Sequence, residues 1–166
     1  MPPHPRGPVS APPAPASGRL ARAFDDLASI PDDLHAWLDG LARDGALEAS
    51  QALVLGVGLQ EWVANLVQHA RWDHAPYVEV TLDVSGERLC CMVDDTSVGF
   101  ALDRVLQERR DAFAALPERG MGLLMLGSIA DDLSYGPLGP TTHRLRFFLR
   151  PGEPDGLDLT TPSRSA

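Results

Sequence analysis

The chain has no lysine: all fourteen of its basic residues are arginine. That excludes every mechanism that requires a lysine, including a phosphate loop of the Gly-Lys-Ser/Thr kind, and no such tripeptide occurs. Cysteine is nearly absent as well. Cys90 and Cys91 stand side by side in an apolar run. Successive side chains on a strand point to opposite faces, so these two are poor partners for a mutual disulfide, and a reduced, cytoplasmic protein is expected. Apolar runs are short of the roughly 20 residues that a membrane-spanning helix needs. The start of the chain offers Pro, Ala, Ser and Gly in place of an apolar signal core, so no membrane association is expected. Positive charge is outweighed, with a formal net charge of −9. A general nucleic-acid binder needs a basic face toward phosphates, and this balance argues against one.

What is present fits one domain. The 166 residues can bury a core without disulfides or a structural metal. Residues 1–18 hold seven prolines and read as a disordered or polyproline-like tail. Residues 151–166 are again rich in Pro, Gly, Ser and Thr and read as a flexible tail, which leaves a folded domain over 19–150. Inside it, Arg19–Phe24 is a candidate strand. Ile30-Pro31-Asp32-Asp33 starts a helix, with Leu34, Trp37, Leu38 and Leu41 on its apolar face and Gly45 as its stop. A second helix runs from about Leu47 to His69, in spite of Gly56 and Gly58. Val78, Val80, Leu82 and Val84 alternate with polar residues as in a half-buried strand. Ser85-Gly86-Glu87 makes a turn into a second, apolar strand over Leu89–Val93. Ala101–Ala115 has helical tendency, Gly120 to about Asp132 reads as a glycine-led helix, and Thr142–Leu149 as a last strand. This order predicts an α+β fold, a two-layer sandwich with helices on one face of a mixed, largely antiparallel sheet.

Three stretches could carry chemistry. Glu61, Asn65 and His69 lie four residues apart, which puts a carboxylate, a carboxamide and an imidazole on one helical stripe. Such a stripe can abstract a proton, and a neutral amide oxygen suits a magnesium ion already partly neutralised by phosphates. Taken alone, it is equally a solvated helix face. The second stretch is Asp94-Asp95-Thr96-Ser97-Val98-Gly99-Phe100, after the apolar strand. A carboxylate at a strand end can accept a hydrogen bond from an exocyclic amine such as that of adenine, and a glycine allows close backbone approach to a flat ring. In isolation this is an ordinary Asp-rich turn. The third is Glu118-Arg119-Gly120-Met121-Gly122-Leu123, where glycines opening a helix expose N–H groups and the positive end of its dipole to an anion.

In their order and spacing the three stretches, with Gly139-Pro140-Thr141-Thr142 before the last strand, resemble the nucleotide-binding boxes of the gyrase and histidine-kinase ATPase superfamily. The resemblance covers roughly residues 30–150. Chain size, the Asn-x-x-x-His-Ala ending of the helix and Asp-Asp-Leu-Ser-Tyr at 131–135 are similar to the anti-sigma-factor serine kinases. The resemblance implies a protein that binds ATP and Mg²⁺, dimerises, binds a sigma factor, and phosphorylates a serine on an anti-anti-sigma factor. It implies Glu61 as general base, Asn65 as magnesium ligand and Asp95 as the adenine-recognising aspartate. Gly99 would border the nucleotide, Gly120, Met121 and Gly122 would offer N–H groups to phosphates, and Thr141 would help bind adenine. Arg119, with Arg110 in the intervening lid, would neutralise transferred charge. Two residues depart from the pattern: Ser97 stands where the family has the first glycine of Asp-x-Gly-x-Gly, and Pro140 where it often has glycine. A nucleotide-sensing protein that sequesters a partner without turnover is the alternative these departures keep open. A detached histidine-kinase catalytic domain is disfavoured, because the chain has no room for a long hairpin carrying a phosphoacceptor histidine.

Overall fold

The computed structural model describes residues 18–113 and 121–149. The tails expected at the two ends, apart from Gly18, and Arg119 and Gly120 of the third motif lie outside the described residues.

Local chemistry sets the ends of the first helices. After β1 (Arg19–Phe24), α1 (Ile30–Arg43) places Pro31 in its first turn, where a missing N–H breaks no helical bond, followed by Asp32 and Asp33 at the positive end of the dipole. It stops at Gly45, whose φ of 75° is left-handed. The Gly45 N–H bonds the Ala42 carbonyl at 3.2 Å and the Ala46 N–H bonds that of Leu41 at 2.9 Å, so the last carbonyls are satisfied by a full Schellman turn. α2 (Ala49–His69) opens with the Glu48 N–H donating to Gln51 Oε1 at 3.0 Å, half of a capping box.

The hairpin β2 (Val78–Asp83) and β3 (Cys90–Asp95) follows, then α3 (Leu102–Phe113), α4 (Met121–Ile129), β4 (Ala130–Pro137) and β5 (His143–Leu149). The sheet order is β1-β2-β3-β5-β4. Every pairing is antiparallel, so only the antiparallel part of the expected mixed sheet is present among the described residues. The inward rows Val78–Val80–Leu82, Cys91–Val93 and Leu145–Phe147–Leu149 meet Leu34, Leu38, Leu55, Leu59, Trp62, Leu66, Leu106, Leu123 and Leu126 of the helices in one core. Each fully buried leucine there contributes about 1.5–3 kcal/mol of transfer free energy. The two-layer α+β architecture expected from the sequence is the one found.

β3 is buried on both faces because its outward side chains are also covered. Cys90 and Met92 sit opposite Phe148 and Arg146, and the Arg88 and Arg146 guanidinium carbons lie 4.8 and 4.7 Å from the Phe148 ring centre. Beside them, Arg144 clasps Asp94 with two bonds of 2.6 Å.

Two expectations are corrected. The glycine-led helix does not reach Asp132: α4 ends at Ile129 and the chain passes directly into a strand. That strand, β4, was absent from the expected order. It carries an irregularity between Asp131 and Ser134, with Asp132 at a φ of 54°, and this conceals its period.

Candidate functional site

Strand alternation sends Cys91, Val93 and Asp95 to the same, helix-facing side of β3. Asp95 is therefore a carboxylate at the end of an apolar row, and it is fully buried. A buried carboxylate must be given donors. The Ser97 N–H donates to Oδ1 at 3.0 Å and the Ser97 hydroxyl to the same oxygen at 2.5 Å. The Tyr135 hydroxyl, from β4, lies 3.0 Å from Oδ2 and 3.3 Å from Oδ1. Burial, with the Asp95 charge beside it, pushes the Tyr135 phenol above its ordinary pKa, while its contact with Ser97 pulls the other way; the phenol stays a donor.

His143 stands directly across from Asp95 in the β3–β5 register. Its Nδ1 lies 3.0 Å from the Ser97 carbonyl, which accepts the proton. Its ring covers Gly99, which has a φ of 76°; a Cβ at that position would sit 2.5 Å from His143 Cδ2. The Gly99 N–H donates to Ser97 Oγ at 3.1 Å, which closes the loop. Around the carboxylate gather four rings. Trp62 of α2 is 5.4 Å from Phe100 and edge-on to Tyr135 at 4.8 Å, Phe100 is 4.9 Å from Tyr135, and His143 is 5.7 Å from Tyr135. The buried Trp62 Nε1 has no hydrogen-bond acceptor among the described residues.

Trp62 also ties this cluster to the polar stripe, since Glu61 precedes it on α2. Glu61 and Asn65 are both partly exposed. Asn65 Nδ2 donates to the Glu61 carbonyl at 2.7 Å, the i to i+4 bond that helical spacing allows. That bond fixes the carboxamide and leaves Asn65 Oδ1, like the Glu61 carboxylate, without a partner among the described residues. No group of three or more His, Cys, Asp or Glu that could hold a metal occurs among the described residues. A cation here would therefore be shared between Asn65 and an anionic ligand, not caged by protein.

The other residues singled out from the sequence fall as follows. Met121 and Gly122 are the first described residues of α4. Arg110 is exposed in the last turn of α3. His69 closes α2. Thr141 is exposed in the connection between β4 and β5, and it is His143, two residues on, that faces Asp95. The structure thus brings Asp95 and Gly99 together and keeps Thr141 out of their contacts. Sequence reasoning missed Tyr135, His143 and Trp62 as members of the site. Tyr135 was in view as the end of Asp-Asp-Leu-Ser-Tyr, but only a strand pairing that delivers it to Asp95 gives it a role. An open groove between α1 and α2, lined by Asp32, His35, Asp39, Arg43 and Gln60, shares no residue with this cluster.

No curated protein matches the chain. The histidine kinase-like ATPase domain matches it over residues 25–147, which takes in the α2 stripe, the Asp95 loop, α4 and most of β5. With a buried aspartate ending an inward strand, a carboxylate and an amide oxygen on the neighbouring helix and that match over most of its length, the chain belongs to the histidine kinase-like ATPase domain family, whose members bind ATP, typically with Mg²⁺.

Proposed function

We propose that the protein is an ATP-dependent protein-serine kinase and anti-sigma factor, which binds a sigma factor and phosphorylates a serine of an anti-anti-sigma factor. The observation that carries the reading is the α2 stripe: Asn65 is pinned through its amide nitrogen, and both its amide oxygen and the Glu61 carboxylate are left without protein partners among the described residues. A polar stripe that were only a solvated face would have no reason to sit one residue from a tryptophan packed against the Asp95 cluster.

The residues present fit a magnesium nucleotide. Asp95 is an acceptor suited to an exocyclic amine, Asn65 Oδ1 is a hard oxygen donor, and the first N–H groups of α4 suit phosphate oxygens. When bound, ATP would supply the transferable phosphoryl group, and Mg²⁺ would neutralise charge on it. Asp95 would hold the base end, and Asn65 the metal. On family likeness, the backbone N–H groups of Gly120, Met121 and Gly122 would hold the phosphates, and Arg119 would add positive charge. Glu61 accepts the proton of the incoming serine hydroxyl, a general-base contribution of typically ~10²–10⁴-fold. Thr141, from the β4–β5 connection, would reach adenine only through water. An acidic surface suits protein partners better than nucleic acid. A homodimer working in the cytoplasm completes the reading, on family likeness.

A second reading has one observation in its favour: the Asp95 carboxylate is already supplied with donors by Ser97 and Tyr135. A protein that senses nucleotide weakly and sequesters its partner without turnover would show the same arrangement. Incubation with γ-labelled ATP, Mg²⁺ and an anti-anti-sigma protein separates the two. The kinase reading expects acid-stable phosphoserine on the partner, and a Glu61→Ala variant that binds ATP but transfers at least about 100-fold more slowly. Partner left unlabelled by a protein that binds ATP would favour sequestration, and full transfer by Glu61→Ala would remove Glu61 from the mechanism.

A further inference from the structure

We propose that the Tyr135 hydroxyl is a built-in competitor for the base of a bound nucleotide, holding Asp95 in a self-satisfied state that ATP must break. The inference rests on Asp95 being the base acceptor. A carboxylate only accepts, and this one is fully buried, so its few lone-pair directions are the whole capacity of the site. Ser97 takes Oδ1 twice, through its N–H at 3.0 Å and its hydroxyl at 2.5 Å. That fixes the plane of the carboxylate and presents Oδ2, where the one donor among the described residues is Tyr135 at 3.0 Å.

An exocyclic amine would need that same oxygen. The phenol that holds it is itself wedged: Trp62 is edge-on at 4.8 Å, Phe100 lies at 4.9 Å and His143 at 5.7 Å. Asp95 itself is closed to solvent, which strengthens the bond and keeps water from exchanging with the phenol at the carboxylate. The residue that replaces the family's first glycine is part of the device, since Ser97 Oγ also lies 3.4 Å from the Tyr135 hydroxyl. Tyr135 is nevertheless the movable member. It sits on β4, which among the described residues is an edge strand bonded to β5 alone, just past the irregularity at Asp131–Ser134. Asp95 lies on an interior strand held on both sides.

The test is calorimetric titration of the full chain with ATP and Mg²⁺, using wild type, Tyr135→Phe, Asp95→Asn and the double variant. Phenylalanine keeps the ring and removes the competing proton. The expected result is about three- to tenfold tighter binding by Tyr135→Phe, the worth of one net hydrogen bond. Asp95→Asn should lose binding, and the gain from Tyr135→Phe should vanish in the double variant. If Asp95→Asn loses binding while Tyr135→Phe binds equally or more weakly than wild type, the competition is overturned and the base reading stands. If Asp95→Asn binds like wild type, or if no variant binds, the base reading fails and takes the competition with it. A second measurement does not depend on how Tyr135→Phe folds. The chain has two tyrosines, so Tyr77→Phe leaves Tyr135 as the sole phenol. In that background, ATP should shift the tyrosine absorption to the blue as its bond to the carboxylate is lost, and an unmoved band on saturation overturns the proposal.

Discussion

At the scale of single residues, the site depends on a glycine as much as on its carboxylate. Gly99 is left-handed and lies under the His143 ring. Gly99→Ala would meet both a backbone penalty of roughly 1–2 kcal/mol and a ring that must move. We expect it to lower unfolding free energy in urea by about 2 kcal/mol or more and to weaken nucleotide binding. Gly136→Ala in β4, where a Cβ meets nothing within 4 Å and φ is not positive, should change neither by more than about 0.5 kcal/mol. The stretch with Asp95 and Gly99 was visible in the sequence as acids and a glycine after an apolar strand, but only the family resemblance singled these two residues out, since alone it reads as an Asp-rich turn. His143 was not singled out. Its position opposite Asp95 is a property of the β3–β5 register, and the Gly-Pro-Thr-Thr run drew attention to Thr141, which sits in the connection instead.

At the scale of elements, α2 carries two glycines with opposite meanings. A Cβ on Gly58 would lie 3.1 Å from both Ile129 Cδ1 and Leu126 Cδ1, so this glycine lets α4 approach. A Cβ on Gly56 would make ordinary contact, 3.8 Å from Leu38 Cδ1. Gly56→Ala is thus expected to raise thermal stability by about 0.5–1 kcal/mol, the usual gain of alanine over glycine within a helix. Gly58→Leu should cost about 1–3 kcal/mol by overpacking the α2–α4 contact. A differential scan of the two variants checks both signs. α1, α2 and β2 could be read from period and capping and β3 from its apolar run, whereas α4 was read from its glycines and carried too far. β4 could not be read. Between Asp131 and Ser134 it runs three residues while β5 runs two, so the inward residues Ala130, Leu133 and Tyr135 fall out of step with a period of two. The two aspartates and the glycine-proline ending add to the disguise.

At the scale of the molecule, one core reaches from α1 to β5, and Cys91 lies wholly inside it. Burial pushes the Cys91 thiol well above its ordinary pKa, so no nucleophilic thiolate forms in the native state. A thiol reagent should label Cys91 only at the rate of global unfolding, and faster labelling under native conditions would show that the sheet opens locally. The pairing of β3 with β5 has a kinetic consequence. The β2–β3 and β4–β5 hairpins close over short loops, on the order of microseconds. The contacts that build the site span more: Asp95 to Tyr135 is 40 residues, Ser97 to His143 is 46, and Asp94 to Arg144 is 50. Such closures meet their entropy cost before any contact rewards it, so they come late. On that order, helices and hairpins form before the Asp95–Tyr135–His143 cluster exists. The cluster is therefore completed only with the finished sheet, and on the proposed reading nucleotide binding is expected to appear with global folding and not before it.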